Sequence, residues 1–132
     1  MVFAGINFIA VIVAAAVGFV AGSVWYGAFG TAWRAALGQT EPFKPRPGPF
    51  VTAILAQLLM AYMLAGVLGL FGDLNLQNGI VGGAFIWLGF VATTIAVNDS
   101  FQGAKVSLTL IDAGHWLVVL VLMGGVIGLF GA

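Results

Sequence analysis

Residues 106–130 read "VSLTLIDAGHWLVVLVLMGGVIGLF". At about 1.5 Å per residue this stretch makes a helix of roughly 37 Å, enough to cross about 30 Å of hydrocarbon. Backbone groups in lipid must be satisfied within their own segment, so a stretch of this kind spans as a helix and not as a strand. Two ionisable residues stand in it, Asp112 and His115, and His115 is the one histidine of the chain. The fold follows from the first observation, and the functional question from the second.

Three more apolar stretches precede it, so the spans are expected at about 6–26, 50–71, 79–97 and 106–130 in a single transmembrane domain of residues 1–132. Composition agrees: 62% of residues are hydrophobic and 6% charged. A soluble domain carries roughly 25% charged residues, so lipid must cover most of this exterior. The expected fold is an all-α, four-helix transmembrane bundle. The N-terminus "MVFAGINFIAVIVAAAVGF" has no basic residue ahead of its apolar run, so it reads as a retained first span with Met1 near the surface. All four prolines fall in "GQTEPFKPRPGPF", and residues 38–49 are expected to run extended along the membrane surface. Ahead of that loop, "TAWRAAL" forms a short interfacial helix or a continuation of the first span.

With four spans, the first and third connections share a side, and they hold Arg34, Lys44, Arg46 and Lys105, every Lys and Arg of the chain. The positive-inside rule makes that side cytoplasmic and puts both termini on the non-cytoplasmic side. Trp25, Tyr26, Trp33 and Arg34 are expected at this interface as an aromatic and basic belt. A net charge of zero without a basic run excludes a nucleic-acid footprint, and the lack of cysteine excludes disulfides and thiolate chemistry. One histidine and one nearby carboxylate fall short of a usual metal-ligand set, so no metal and no cofactor are expected.

Lipid tails are as apolar as leucine, so helix association must rest on close backbone approach and on polar contacts. Small residues recur every four positions at Ala14, Gly18 and Gly22, at Gly79 and Gly83, and at Gly124 and Gly128. These stripes suit the inside of a compact bundle, and the same motif serves as a seam between copies. Counted by depth from the basic side, Asp112, His115, Gln57, Thr93, Thr94 and Ser23 form a polar layer to which all four spans contribute. An ionised aspartate facing lipid costs about 3 kcal/mol on insertion scales, so Asp112 is expected to face the bundle or a watery cleft. Two readings of the pair stand side by side: a hydrogen-bonded clasp that sets helix register, and a site for a proton or small ligand opening to the cytoplasm.

Across Asn7, Gly22, Trp25, Tyr26, Gly30 and Trp33, and again at Gly89, Phe90, Thr93, Thr94, Gly114 and Gly124, the chain resembles the DUF1761 family of small bacterial membrane proteins. The resemblance covers the first, third and fourth spans. It implies a four-helix protein of the bacterial inner membrane, aromatic residues around His115, and no particular activity. The leading functional expectation is a non-enzymatic membrane protein whose partners are the lipid bilayer and either further copies, in a homo-oligomer, or other membrane protein subunits. The alternative is a small proton-coupled transporter or channel built on Asp112 and His115. An enzyme comes third, because the chain offers no Ser/His/Asp set and no phosphate-binding glycine loop.

Overall fold

A computed structural model describes residues 3–41 and 43–131. Met1, and Pro42 in the proline-rich loop, lie outside the described residues. Among those described, four helices are long and apolar enough to cross a membrane: α1 (Phe8–Ala36), α2 (Pro47–Gly69), α3 (Leu76–Gln102) and α4 (Val106–Phe130). No strand occurs among them.

Each helix end has a chemical cause. Asn7 caps α1, its side-chain oxygen accepting from the backbone N–H of Ile9 at 3.0 Å and of Ala10 at 3.1 Å. The helix continues ten residues past Tyr26, so "TAWRAA" belongs to it. Its 29 residues make about 43 Å of helix, which lifts Trp33 and Arg34 beyond a 30 Å hydrocarbon layer. It stops at Gly38, whose φ of +75° lets the N–H of Gly38 and Gln39 turn back onto the carbonyls of Ala35 and Arg34.

Helix α2 corrects the reading of residues 38–49 as extended throughout. It begins inside the proline cluster, at Pro47, because a first helical turn needs no N–H donors and the fixed φ of proline suits it. Helix α3 likewise begins before Gly79. Asn75 caps it by accepting from the N–H of Asn78 at 2.9 Å.

Within α3, Trp87–Ala92 is a π-helical segment. Such a segment accommodates about one extra residue, which rotates everything after it by about 100° relative to an unbroken α-helix. A three-residue turn, Gly103–Lys105, then reverses the chain into α4.

Helix α4 is central, with α1 on one side and α3 on the other, and α2 packs on α1. Backbone lies on backbone in the α3–α4 seam. A Cβ added at Gly79 would meet the Gly124 carbonyl oxygen, one at Gly124 the Gly79 carbonyl, one at Gly83 the Leu120 carbonyl and one at Gly128 the Asn75 carbonyl. The α1 stripe is spent inside the chain as well. Ala14, Gly18 and Gly22 are buried, and a Cβ on Gly18 would stand 2.8 Å from Met123 Cε. Helix α2 adds Ala61, Leu64, Ala65 and Leu68 to the core, and Leu68 also packs against Gly82 of α3. The centre is closed by Val119, Met123 and Ile127, each 0% exposed.

Candidate functional site

The polar groups that meet do so between α1 and α4, near the end that carries Lys105. Asp112 lies six residues into α4, about 9 Å from its start. Its carboxylate accepts from the Tyr26 hydroxyl at 2.6 Å, a hydrogen bond between helices. His115, three residues on, shares that face of α4. Its ring lies 4.9 Å from the Tyr26 ring and 4.5 Å from that of Trp116, centroid to centroid. Trp33 meets the other side of Tyr26 edge-on at 5.3 Å.

His115 is seated by a glycine. A Cβ on Gly22 would stand 2.7 Å from its Nε2, so the imidazole occupies the space a side chain would take. One turn along α1, Gly18 receives Gln57 in the same way, with the amide oxygen 2.8 Å from the position of a Cβ. Gln57 and His115 are 4% and 6% exposed, and the Gln57 Oε1 and His115 Nδ1 atoms have no hydrogen-bond partner. Polar atoms buried without partners cost about 1–3 kcal/mol each, so this pair is a point of stored cost in the core.

The expected six-residue layer is narrower than the depth count implies. Ser23, Thr93 and Thr94 are exposed, and each hydroxyl donates to a carbonyl one turn back on its own helix, at Phe19, Gly89 and Phe90. Depth places them correctly but face does not. For the threonines the cause is the π segment at Trp87–Ala92, which shifts the face that meets α4, so that Asp99 and not Thr93 or Thr94 reaches it. Asp112, His115 and Gln57 remain in the interior or at its edge.

Two aromatics read as interfacial anchors reach inward. Tyr26 holds Asp112, and the indole N–H of Trp25 donates to the Ile111 carbonyl at 3.0 Å. From α3, the Trp87 indole donates to the Ala113 carbonyl at 2.7 Å, a contact absent from the sequence reading. The signal was available. Tyr26 continues the spacing of Gly18 and Gly22, and Trp87 that of Gly79 and Gly83, so each tryptophan or tyrosine stands at the next position of a packing stripe. Nearby, Thr109 of α4 donates to Asp99 of α3 at 2.8 Å, which ties the α3–α4 turn together.

Four apolar helices around a small interhelical polar cluster define a multi-pass membrane protein. The model of a family described as "Protein of unknown function (DUF1761)" matches residues 9–128, and the chain belongs to that family. Comparison with curated proteins and with solved structures returned no match.

Proposed function

We propose that this protein is a non-enzymatic membrane bundle that binds a proton or small polar solute at Tyr26, Asp112 and His115, and that it works in an assembly. The carrying observation is the Tyr26–Asp112 hydrogen bond, which places an acid and its partner between two helices beside a buried histidine. Intramembrane ionisable residues mark ligand and proton sites more often than bulk packing. Beyond His115 the core is closed by Val119, Met123 and Ile127, so one chain offers no through-path.

Assembly is the natural remedy, either with a second copy or with another membrane subunit. In its most apolar window α3 is 6% buried, against 33–44% for the other three helices. The accessible surface of 7949 Å² also exceeds the roughly 6,600 Å² expected of a compact monomer of this mass. We place the basic loops in the cytoplasm, both termini outside, and the protein in the inner membrane of a bacterium, on the one-sided distribution of Arg34, Lys44, Arg46 and Lys105. In liposomes, Asp112→Asn abolishes proton-coupled flux while leaving the protein folded. Equal flux with and without the acid overturns the transport reading.

A purely structural clasp is the second reading. It is favoured by the Trp25 and Trp87 indoles, which tie α1 and α3 to the backbone of α4 on either side of Asp112. On that reading Asp112→Asn lowers stability and changes no flux, because there is none.

A further inference from the structure

We propose that a second copy of this chain docks on the open face of α1, giving a parallel dimer in which each α1 lies in the groove between α1 and α4 of the other copy. The inference rests on the reading of the protein as part of an assembly, and it names the partner and the surface.

A groove of about 610 Å³ runs between α1 and α4, and these two helices alone line it. Val17, Ala21, Val24 and Ala28 lie along its α1 wall, Val118 and Leu122 along its α4 wall. It follows α1 from Ala16 to Phe29, about 20 Å, which seats between three and four turns of another helix. No charged residue lines it.

Side-chain size separates a helix from lipid as the occupant. No exposed residue of α1 from Val13 to Ala28 is larger than valine. The outward faces of the other helices carry large side chains, such as Leu55 and Leu59 on α2, and Phe85 and Leu88 on α3. Fluid acyl chains follow a surface of any relief, so small residues offer them no advantage. A packed helix does gain, because small residues let its backbone approach. This face is distinct from the stripe of Ala14, Gly18 and Gly22, which is buried inside the chain.

Spacing and charge settle the geometry. Val17, Ala21, Val24 and Ala28 follow one another by 4, 3 and 4 residues, the repeat of helices that cross at about 20° and interlock over several turns. With Arg34, Lys44, Arg46 and Lys105 on one side, both copies insert the same way up. A two-fold axis along the membrane normal then sets each seam residue level with its own counterpart. Area is sufficient as well. The chain exposes 7949 Å² where a compact protein of its mass exposes roughly 6,600 Å². The difference, roughly 1,350 Å², exceeds the ~800 Å² that each partner gives up in a stable dimer. Trp25 also lines the groove and donates to the Ile111 carbonyl, so a docked helix covers the contact that ties α1 to α4 beside Asp112.

The chain has no cysteine, so single cysteines report the interface directly. In membranes treated with copper phenanthroline, Val24→Cys and Ala28→Cys are expected to form disulfide-linked dimers, a bond that needs Cα atoms within about 7 Å across the axis. Ser23→Cys, exposed at the same depth on another face of α1, and Leu88→Cys on the open face of α3 cross-link at least fivefold less. In vesicles at low density the fluorophore-labelled natural chain bleaches in two steps. Ala28→Leu, whose larger side chain enters the groove, weakens the dimer at least tenfold, and the cysteine variants carry the test if that variant misfolds. Single steps from the natural chain overturn the proposal together with any assembly of copies, and the groove then belongs to lipid or to another subunit. Two steps with equal cross-linking at Ser23 or Leu88, or with unchanged affinity in folded Ala28→Leu, overturn this surface alone and keep the assembly.

Discussion

Gly79→Ala places a methyl group on a carbonyl oxygen of the facing helix, where neither side can yield by rotating a bond. A Cβ at Gly79 falls on the Gly124 carbonyl, and a Cβ at Gly124 falls on that of Gly79, so both obstacles are helix backbone. The only relief is separation of α3 from α4, which also loosens the contacts of Gly83 with Leu120 and of Gly128 with Asn75. Overpacking costs about 1–3 kcal/mol in general, and a rigid obstacle belongs at the top of that range. Alanine recovers about 0.5–1 kcal/mol through its higher helix propensity. The expected net loss is about 2 kcal/mol, roughly a 30-fold fall in the folded ratio. Gly27 of α1 provides the contrast, since a Cβ there meets nothing within 4 Å. Gly27→Ala should stabilise by about 0.5–1 kcal/mol. Unfolding in mixed micelles with rising dodecyl sulfate, followed by tryptophan fluorescence, reads both. The Gly79→Ala, Gly124→Ala double variant should cost less than the sum of the singles, because the helices part only once. If Gly79→Ala and Gly27→Ala shift the midpoint in the same direction, the claim that α3 and α4 meet backbone to backbone fails.

Tyr26→Phe deletes the hydrogen bond to Asp112 and keeps the ring packing, so a loss of about 1 kcal/mol is expected, in line with interhelical hydrogen bonds in membranes. The same unfolding assay checks it, and no loss would show that the bond is absent in the bilayer. Asn7→Ala removes an acceptor shared by two backbone N–H groups at the start of α1. A cost of about 1 kcal/mol is expected, with faster amide hydrogen exchange confined to Ile9 and Ala10.

How far the sequence alone reaches can be judged from the polar residues. Hydropathy and proline placement define four helices, because burying a backbone in lipid leaves it no alternative to helical hydrogen bonding. Small residues every four positions mark close-packed faces, since only they let backbones approach. The same spacing run one step further contains Tyr26 and Trp87. Depth along the membrane is also legible, at about 1.5 Å per residue. Face is another matter, because it accumulates rotation residue by residue and a local change of helical pitch resets it. Thr93 and Thr94 lie at the depth of the cluster and point elsewhere, owing to the π segment that precedes them.

The sequence by itself therefore determines that this is a four-span membrane protein, which residues form its seams, and that Asp112 must find a partner. That follows from local physics, the cost of an unsatisfied backbone or charge in hydrocarbon. Only the tertiary structure decides that the partner is Tyr26 and not His115, that the glycine stripes are used within one chain, and that Gln57 Oε1 and His115 Nδ1 are buried without hydrogen-bond partners. These depend on which faces of separate helices meet, and that is set by packing between segments distant in the chain.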